Sequence, residues 1–226
     1  MHERYLDVPD PIERANLATF VGRAIRLDDA AVVRFRQRPD NLVGAWTTTG
    51  FDTLAVRVIE GVVRPNDTTA AADAVQRNLS ELQSGSRIDL GYSMDSSWRG
   101  ALPPDKGFVH VDDVPARVLV DLAQRGAALA KEHGSNQGPP VSLLDQEVLE
   151  VEGGGEQFGV SMRIVFALTA MGFIPHTGQE QMTAGLDLDR IDADELVRVR
   201  ASKSWIRLDA RYGSVLKHRG TGLQFA

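Results

Sequence analysis

The chain has 226 residues, of which 42% are hydrophobic and 25% are charged, and its formal net charge is −6. These proportions are typical of a globular protein that can bury a sizeable core. The chain has no cysteine, which excludes disulfides, thiolate zinc sites, iron–sulfur clusters and cysteine nucleophiles. Its first residues lack the apolar core of a signal peptide, and its longest apolar run, residues 164–174, is too short to span a bilayer. We therefore expect a cytoplasmic protein without a membrane segment.

The first predicted elements are a helix and three strands. Asp10 suits the N-cap of the helix and Pro11 its first turn, and apolar residues then recur at helical spacing. Residues 31–38, 42–49 and 52–63 are rich in valine, threonine and aromatic residues, with turn residues between them. This pattern predicts an antiparallel meander with one face exposed to water.

The next segment predicts a second helix and a long loop. Residues 66–85 carry an apolar stripe at helical spacing, with Asp67 or Thr68 as the cap. Residues 86–107 are rich in turn residues and contain Trp98. A long ordered loop often has a function, but a single aromatic residue in such a loop more often anchors it to the core.

A third helix and a linker are predicted in the middle of the chain. Residues 108–111 form a short strand, and a helix over 112–134 follows, with Asp112 or Asp113 as its cap. Residues 135–140, SNQGPP, have the composition of a linker between lobes.

The last third of the chain predicts a hairpin, a buried helix and a basic hairpin. The segment EGGGE, residues 152–156, is interpreted as the turn of the first hairpin, because its two glutamates would repel a phosphate and no Lys-Ser/Thr pair follows it. Residues 163–173 are apolar on all sides, which indicates a buried helix. Residues 197–220 alternate as two strands.

These elements predict an α+β fold, with antiparallel sheet or sheets and about four helices. Two lobes are expected, unless the chain is one single domain. The first lobe, residues 1–134, holds a helix, the three-strand meander and two helices, and the second, residues 139–226, holds the hairpin, the buried helix and the basic hairpin.

The basic segment 197–220 differs from the rest of the chain in charge. It contains seven Lys or Arg residues against one acid, Asp209, so that it carries +6 and the remainder of the chain carries −12. Such an asymmetry can mark an anion-binding surface on an acidic body. It can equally mean that the basic residues pair with acids of the same molecule or of a second subunit.

The alternation within this segment predicts which side chains share a face. Arg198, Arg200, Arg207 and Arg211 are expected to gather around Trp205 on a face exposed to water. Such a face could contact phosphates and stack a base. It could also consist of cross-strand neighbours that are already paired with acidic residues.

A second candidate site combines Trp98 and Arg99 with His110 and Asp112. An arginine beside a tryptophan suits anion recognition, and an imidazole and a carboxylate on one face of a strand could bind a divalent metal. The five histidines show no spacing typical of a metal pair, and a cap explains the aspartate, so no metal and no cofactor are predicted.

Five phrases together resemble a family of conserved hypothetical proteins of high-GC Gram-positive bacteria. They are WRGALPP (98–104), VDDVPARVLVDLAQRGA (111–127), SLLDQEVLEV (142–151), ALTAMGFIP (167–175) and WIRLDARYGSV (205–215). The resemblance spans most of the chain from about residue 11. It implies an intracellular bacterial protein and supplies no catalytic residues, because that family has no assigned activity.

Three functional hypotheses follow, in order of preference. The first is a non-catalytic binding or regulatory protein that acts through a protein partner, which includes a second copy of the chain. The second is a nucleic-acid or phosphate binder that uses the basic hairpin. The third is a small-molecule enzyme with a site near His110 and Asp112.

Overall fold

The computed structural model divides the chain into two compact units. It describes residues 4–133, 139–153, 156–176 and 187–219. Unit 1 comprises Met1–Gly50 and Leu54–Leu102, and unit 2 comprises Phe51–Thr53 and Pro103–Ala226. The lobe division predicted at residues 135–140 stays a prediction, and residues 135–138 of that segment lie outside the described residues.

Unit 1 consists of two antiparallel sheets and two packed helices. Its helices are α1 (Pro11–Leu27) and α2 (Ala72–Glu81), and its strands are β1 (Tyr5–Asp7), β2 (Val32–Gln37), β3 (Leu42–Thr49), β4 (Thr53–Glu60), β5 (Val62–Arg64), β6 (Asp67–Ala71) and β7 (Arg87–Asp89). β1 lies between β5 and β7 in a small sheet, and the larger sheet has the order β6-β2-β3-β4.

Helix α1 begins where the sequence predicts it. The side chain of Asp10 accepts a hydrogen bond of 2.8 Å from the backbone nitrogen of Ile12, which satisfies one of the free amide groups of the first turn. Leu17, Phe20 and Val21 are buried on one side of the helix. Helix, cap and meander therefore agree with the sequence pattern.

The second helix begins later than predicted. Asp67 and Thr68 do not cap it, because they belong to strand β6, which pairs with β2. The carboxylate of Asp67 instead accepts two hydrogen bonds from Arg34 of β2, at 2.7 and 2.8 Å. This cross-strand pair favours an extended backbone over a helical turn, so α2 begins only at Ala72. No local sequence pattern predicts the pair.

Unit 2 combines a four-stranded antiparallel sheet with a hairpin and three helices within its described residues. Its helices are α3 (Ala116–His133), α4 (Val141–Leu144) and α5 (Met162–Ala170), and its strands are β8 (Val109–Pro115), β9 (Glu147–Gly153), β10 (Glu156–Ser161), β11 (Leu196–Ala201), β12 (Trp205–Ala210) and β13 (Gly213–His218). The sheet has the order β13-β12-β11-β8, and β9 pairs with β10.

Two predictions for this unit are wrong in detail. Asp112 and Asp113 cap no helix, because strand β8 continues through them and α3 begins at Ala116. The basic segment forms three strands, since the chain reverses a second time at Arg211 and Tyr212, and Gly213 then pairs with Ala210. The predicted hairpin and the buried helix α5 are confirmed, and the fold class is α+β, as predicted. Within the described residues, no helix is long and apolar enough to cross a membrane.

Candidate functional site

Four arginines of unit 2 lie together on one side of the sheet, and we call this set the arginine face. Its members are Arg198 and Arg200 on β11, Arg207 on β12 and Arg211 just after β12. The alternating residues point the other way: Val197, Val199, Ile206 and Leu208 are all buried. The period-two pattern therefore separates a core face from a charged face, as predicted.

Asp209 is the acidic centre of the arginine face. Arg200 and Arg207 are direct cross-strand partners, an arrangement in which two like charges repel each other. Asp209 lies next to both: one carboxylate oxygen is 2.5 Å from Nε of Arg207, and the other is 3.3 Å from Nε of Arg200. The hydroxyl of Ser214 donates to the same carboxylate, at 2.5 Å.

A second pair joins Arg211 to Glu195, in the turn before β11. The Glu195 side chain is only 5% exposed, whereas that of Arg211 is 62% exposed. Nε and Nη2 of Arg211 donate to one carboxylate oxygen, at 2.9 and 2.5 Å. These hydrogen bonds from Arg211 to Glu195 raise the pKa of the arginine. A carboxylate so deeply buried needs such a charged donor, because an unpaired charge there would be costly.

A third pair joins Arg198 to Asp113 of β8. Nε of Arg198 and Nε2 of His110 both lie 3.3 Å from the same Asp113 oxygen. Desolvation alone would raise the pKa of Asp113, but the hydrogen bonds from His110 and Arg198 outweigh it and hold the pKa below its ordinary value. Each arginine of the arginine face thus has an acid of the same unit beside it.

The arginine face surrounds a shallow cavity of 380 Å³. Four guanidinium groups and three carboxylates, those of Asp113, Asp209 and Glu195, line it. Arg198 and Arg200 contact their carboxylates through Nε, so their terminal nitrogens take no part in those pairs. Positive and negative charges on this surface therefore nearly balance, and the terminal nitrogens of Arg198 and Arg200 remain as spare hydrogen-bond donors.

Trp205, predicted at the centre of these arginines, does not line the cavity. Its ring packs edge-on against the ring of His218, with centroids 5.1 Å apart, and these two residues are cross-strand partners on β12 and β13. The ring of Phe108 lies 5.7 Å from the guanidinium of Arg207.

The second predicted site divides between the two units. Trp98 and Arg99 belong to unit 1. The indole nitrogen of Trp98 donates to the backbone oxygen of Gly100 at 3.1 Å, and the guanidinium of Arg34 lies 5.7 Å from the ring. Trp98 therefore anchors its loop to the sheet of unit 1, whereas Arg99 is exposed.

His110 and Asp112 belong to unit 2, on strand β8. The His110 side chain is 51% exposed, and the carboxylate of Asp112 accepts a hydrogen bond of 2.8 Å from the backbone nitrogen of Asp113. A catalytic base normally needs a more enclosed setting to tune its pKa. Among the described residues, no group of three histidine or acidic side chains could hold a metal ion.

Of the three acids beside the arginine face, sequence reasoning identified Asp209 and missed the other two. Asp209 is the one acid of the basic segment and shares the parity of Arg207 on the same strand. Asp113 and Glu195 lie in other elements of unit 2 and are brought to the arginines only by strand pairing and by the turn before β11.

Two family models match the chain. Residues 103–222 match a domain of unknown function, DUF8185, and residues 1–100 match another, DUF8010. The chain belongs to the DUF8185 family. A search of curated proteins finds no match. The family assignment agrees with the predicted resemblance to an uncharacterised family, and its restriction to high-GC Gram-positive bacteria stays a prediction.

Solved structures similar to this DUF8185 chain include several bacterial sliding clamps. The DNA polymerase sliding clamp from Bacillus subtilis has a TM-score of 0.58 at 10% identity, over 96% of this chain and 64% of that one. The clamp from Caulobacter crescentus has 0.56 at 12% identity, over 100% and 68%. The beta subunit from DNA polymerase of Streptococcus pyogenes has 0.56 at 10% identity, over 96% and 65%. These likenesses show the fold, and the chain spans about two thirds of the clamps' length.

Proposed function

We propose that this protein is a non-catalytic binding protein that acts through a protein partner. Its fold supports the proposal, because the similar solved proteins are described as clamps and as a polymerase subunit, which are parts of assemblies. The main observation in support of this proposal is that every arginine of the arginine face is paired with an acid of unit 2.

The arginine face has the composition of a protein interface. Arginine and tyrosine are enriched in such interfaces, whose apolar centre is surrounded by polar groups. Leu196 lines the cavity of the arginine face beside Arg211, and Tyr212 follows Arg211 in the chain; both side chains are exposed. A partner that presents carboxylates to the spare guanidinium nitrogens, and an apolar group to Leu196, would match this surface.

Affinity capture from the source cells tests the proposal. The wild-type protein should retain a specific partner, which then binds the purified protein in a calorimetric titration. Leu196→Ser combined with Tyr212→Ser should weaken that binding, whereas Leu129→Ser, an exposed apolar residue on α3, should not. Sedimentation velocity shows whether the partner is a second copy of the chain. A partner that binds the double variant and the wild type equally would contradict the role of this surface.

Nucleic acid is the alternative ligand of the same residues. The spare terminal nitrogens of Arg198 and Arg200 favour it, since arginine donates well to phosphate oxygens. Against it stand three carboxylates within the arginine face, which repel a phosphate backbone, and a pI of about 5.4 for the whole chain. Binding of this kind would weaken steeply with salt.

A further inference from the structure

A second cavity in unit 2 has charges of opposite sign on its two sides. Its volume is 470 Å³, and it lies between the hairpin β9–β10 and the ends of β12 and β13. The acidic side consists of Asp145, Glu147 and Glu150, and the basic side of Lys217, His218 and Arg219. Phe158 and Ile206 supply apolar surface and are themselves buried. Cavities of this size hold small organic ligands.

The acidic side contains two carboxylates that the protein itself does not neutralise. Glu147 and Glu150 have no ion-pair or side-chain hydrogen-bond partner among the described residues, unlike Asp145, whose carboxylate accepts a hydrogen bond of 2.6 Å from Arg163. Gly159 makes room for one of them, because a Cβ atom at that position would lie 2.1–2.3 Å from the Glu147 carboxylate.

The basic side is positioned by contacts with Phe158, which lines the cavity, and with the backbone of Ser202. The guanidinium of Arg219 lies 4.7 Å from the centre of the Phe158 ring, and it donates to the backbone oxygen of Ser202 at 3.2 Å. Lys217 has no ion-pair partner within the described parts of the chain. Among the described residues, no ion pair joins Glu147 or Glu150 to Lys217 or Arg219, whereas the pKa of Asp145 is lowered chiefly by the hydrogen bond from Arg163 and also by the charge of Lys217.

Ser161 supplies a further unused group at the cavity wall. Its hydroxyl oxygen is buried and has no hydrogen-bond partner in the structure. Buried hydroxyls are normally bonded, since leaving one unbonded costs free energy. Because this oxygen is shielded from solvent, a bound molecule would reach it only if the wall of the cavity moved.

We propose that this cavity binds a small zwitterion, an amino acid or a short peptide. Its ammonium group would lie against Glu147 and Glu150, its carboxylate against Lys217 and Arg219, and its apolar part against Phe158 and Ile206. A ligand of one charge sign would contact only one side, whereas a zwitterion can form charge-assisted hydrogen bonds with both sides at once. This site is separate from the arginine face, so it does not depend on the proposed partner.

A ligand screen on the full chain tests this site. The probes are the standard amino acids and a set of unmodified dipeptides, first by thermal shift at millimolar concentration and then by calorimetry. We expect at least one probe to bind with one-to-one stoichiometry. Its N-acetyl and C-amide derivatives, which each lack one charge, should bind about tenfold more weakly or worse, because each loses a charge-assisted contact.

Three variants localise the binding. Glu147→Gln and Lys217→Gln should each weaken it about tenfold, and Gly159→Ala should weaken it because the new methyl group displaces the Glu147 carboxylate. Glu81→Gln and Lys203→Gln, both exposed and outside the cavity, are matched controls that should bind like wild type. The melting temperatures of all five without ligand show whether each is folded.

Two results would overturn the inference. One is that no amino acid or dipeptide binds the folded wild-type protein. The other is that a probe binds, but with equal affinity to Glu147→Gln, Lys217→Gln and the controls.

Discussion

Arg200 and Arg207 lie directly opposite each other on β11 and β12, and Asp209 contacts both guanidinium groups. Two arginines in this register would repel each other without an intervening anion. The Asp209 side chain is only 18% exposed. Water alone would therefore screen the two arginines from each other poorly. The pairing of β11 with β12 at this point is therefore stabilised by the carboxylate of Asp209.

Asp209→Asn should lower the free energy of unfolding by about 2 kcal/mol, because it removes charged hydrogen bonds and exposes the two arginines to each other. Urea denaturation measures this difference. The matched control is Asp189→Asn, at a carboxylate that is 91% exposed and 3.9 Å from Arg117, and it should change stability little. Equal effects of the two substitutions would show that Asp209 has no special role.

Gly153 is predicted to tolerate no side chain. A Cβ atom there would lie 2.5 Å from the backbone oxygen of Val111 and 2.7 Å from its Cα, so β9 would have to move away from β8. Gly153→Ala should destabilise unit 2 by about 1–3 kcal/mol. Gly50→Ala is the control, since nothing lies within 4 Å of a Cβ at that position. Thermal or urea unfolding compares the two, and a neutral Gly153→Ala would refute the close contact.

The pKa of Asp113 predicts a pH dependence. Its folded value lies below the ordinary 3.8, because the hydrogen bonds from His110 and Arg198 outweigh desolvation. The carboxylate thus stabilises the folded state above pH 3.8, and this contribution is lost as the pH falls through the folded pKa. Carbon NMR of the carboxyl group should show the low midpoint. Arg198→Gln should raise it and Lys203→Gln should not; a midpoint at or above 3.8 in the wild type would contradict the pairing.

Much of the fold follows from local patterns. The Asp10 cap, the meander and the alternation from Trp205 to Ala210 are each encoded within a few residues, and the structure agrees with them. The predictions that fail are those decided by distant partners. Asp67 matches a cap in sequence, yet its bond to Arg34 of β2 places it in a strand.

The candidate site was only half predictable. The parity of residues 197–212 showed which arginines share a face, but not that Asp113 and Glu195 reach them. Those contacts depend on the pairing of β8 with β11 and on a turn before β11, which have no short-range signal. The charged cavity at β9–β10 is even harder to predict from the sequence, since Glu147 and Lys217 are far apart in the chain.

The central claim is that acids of unit 2 neutralise the arginine face. The most direct test is a titration with fluorescent oligonucleotides, single-stranded and duplex, at several salt concentrations. If the arginine face is neutralised, we expect no specific oligonucleotide binding at low salt. The variant that combines Arg207→Glu with Arg211→Glu should then bind no differently from wild type. Circular dichroism first shows that both proteins are folded. Tight binding that falls steeply with salt, and that the double variant abolishes, would contradict this account and favour nucleic acid as the ligand.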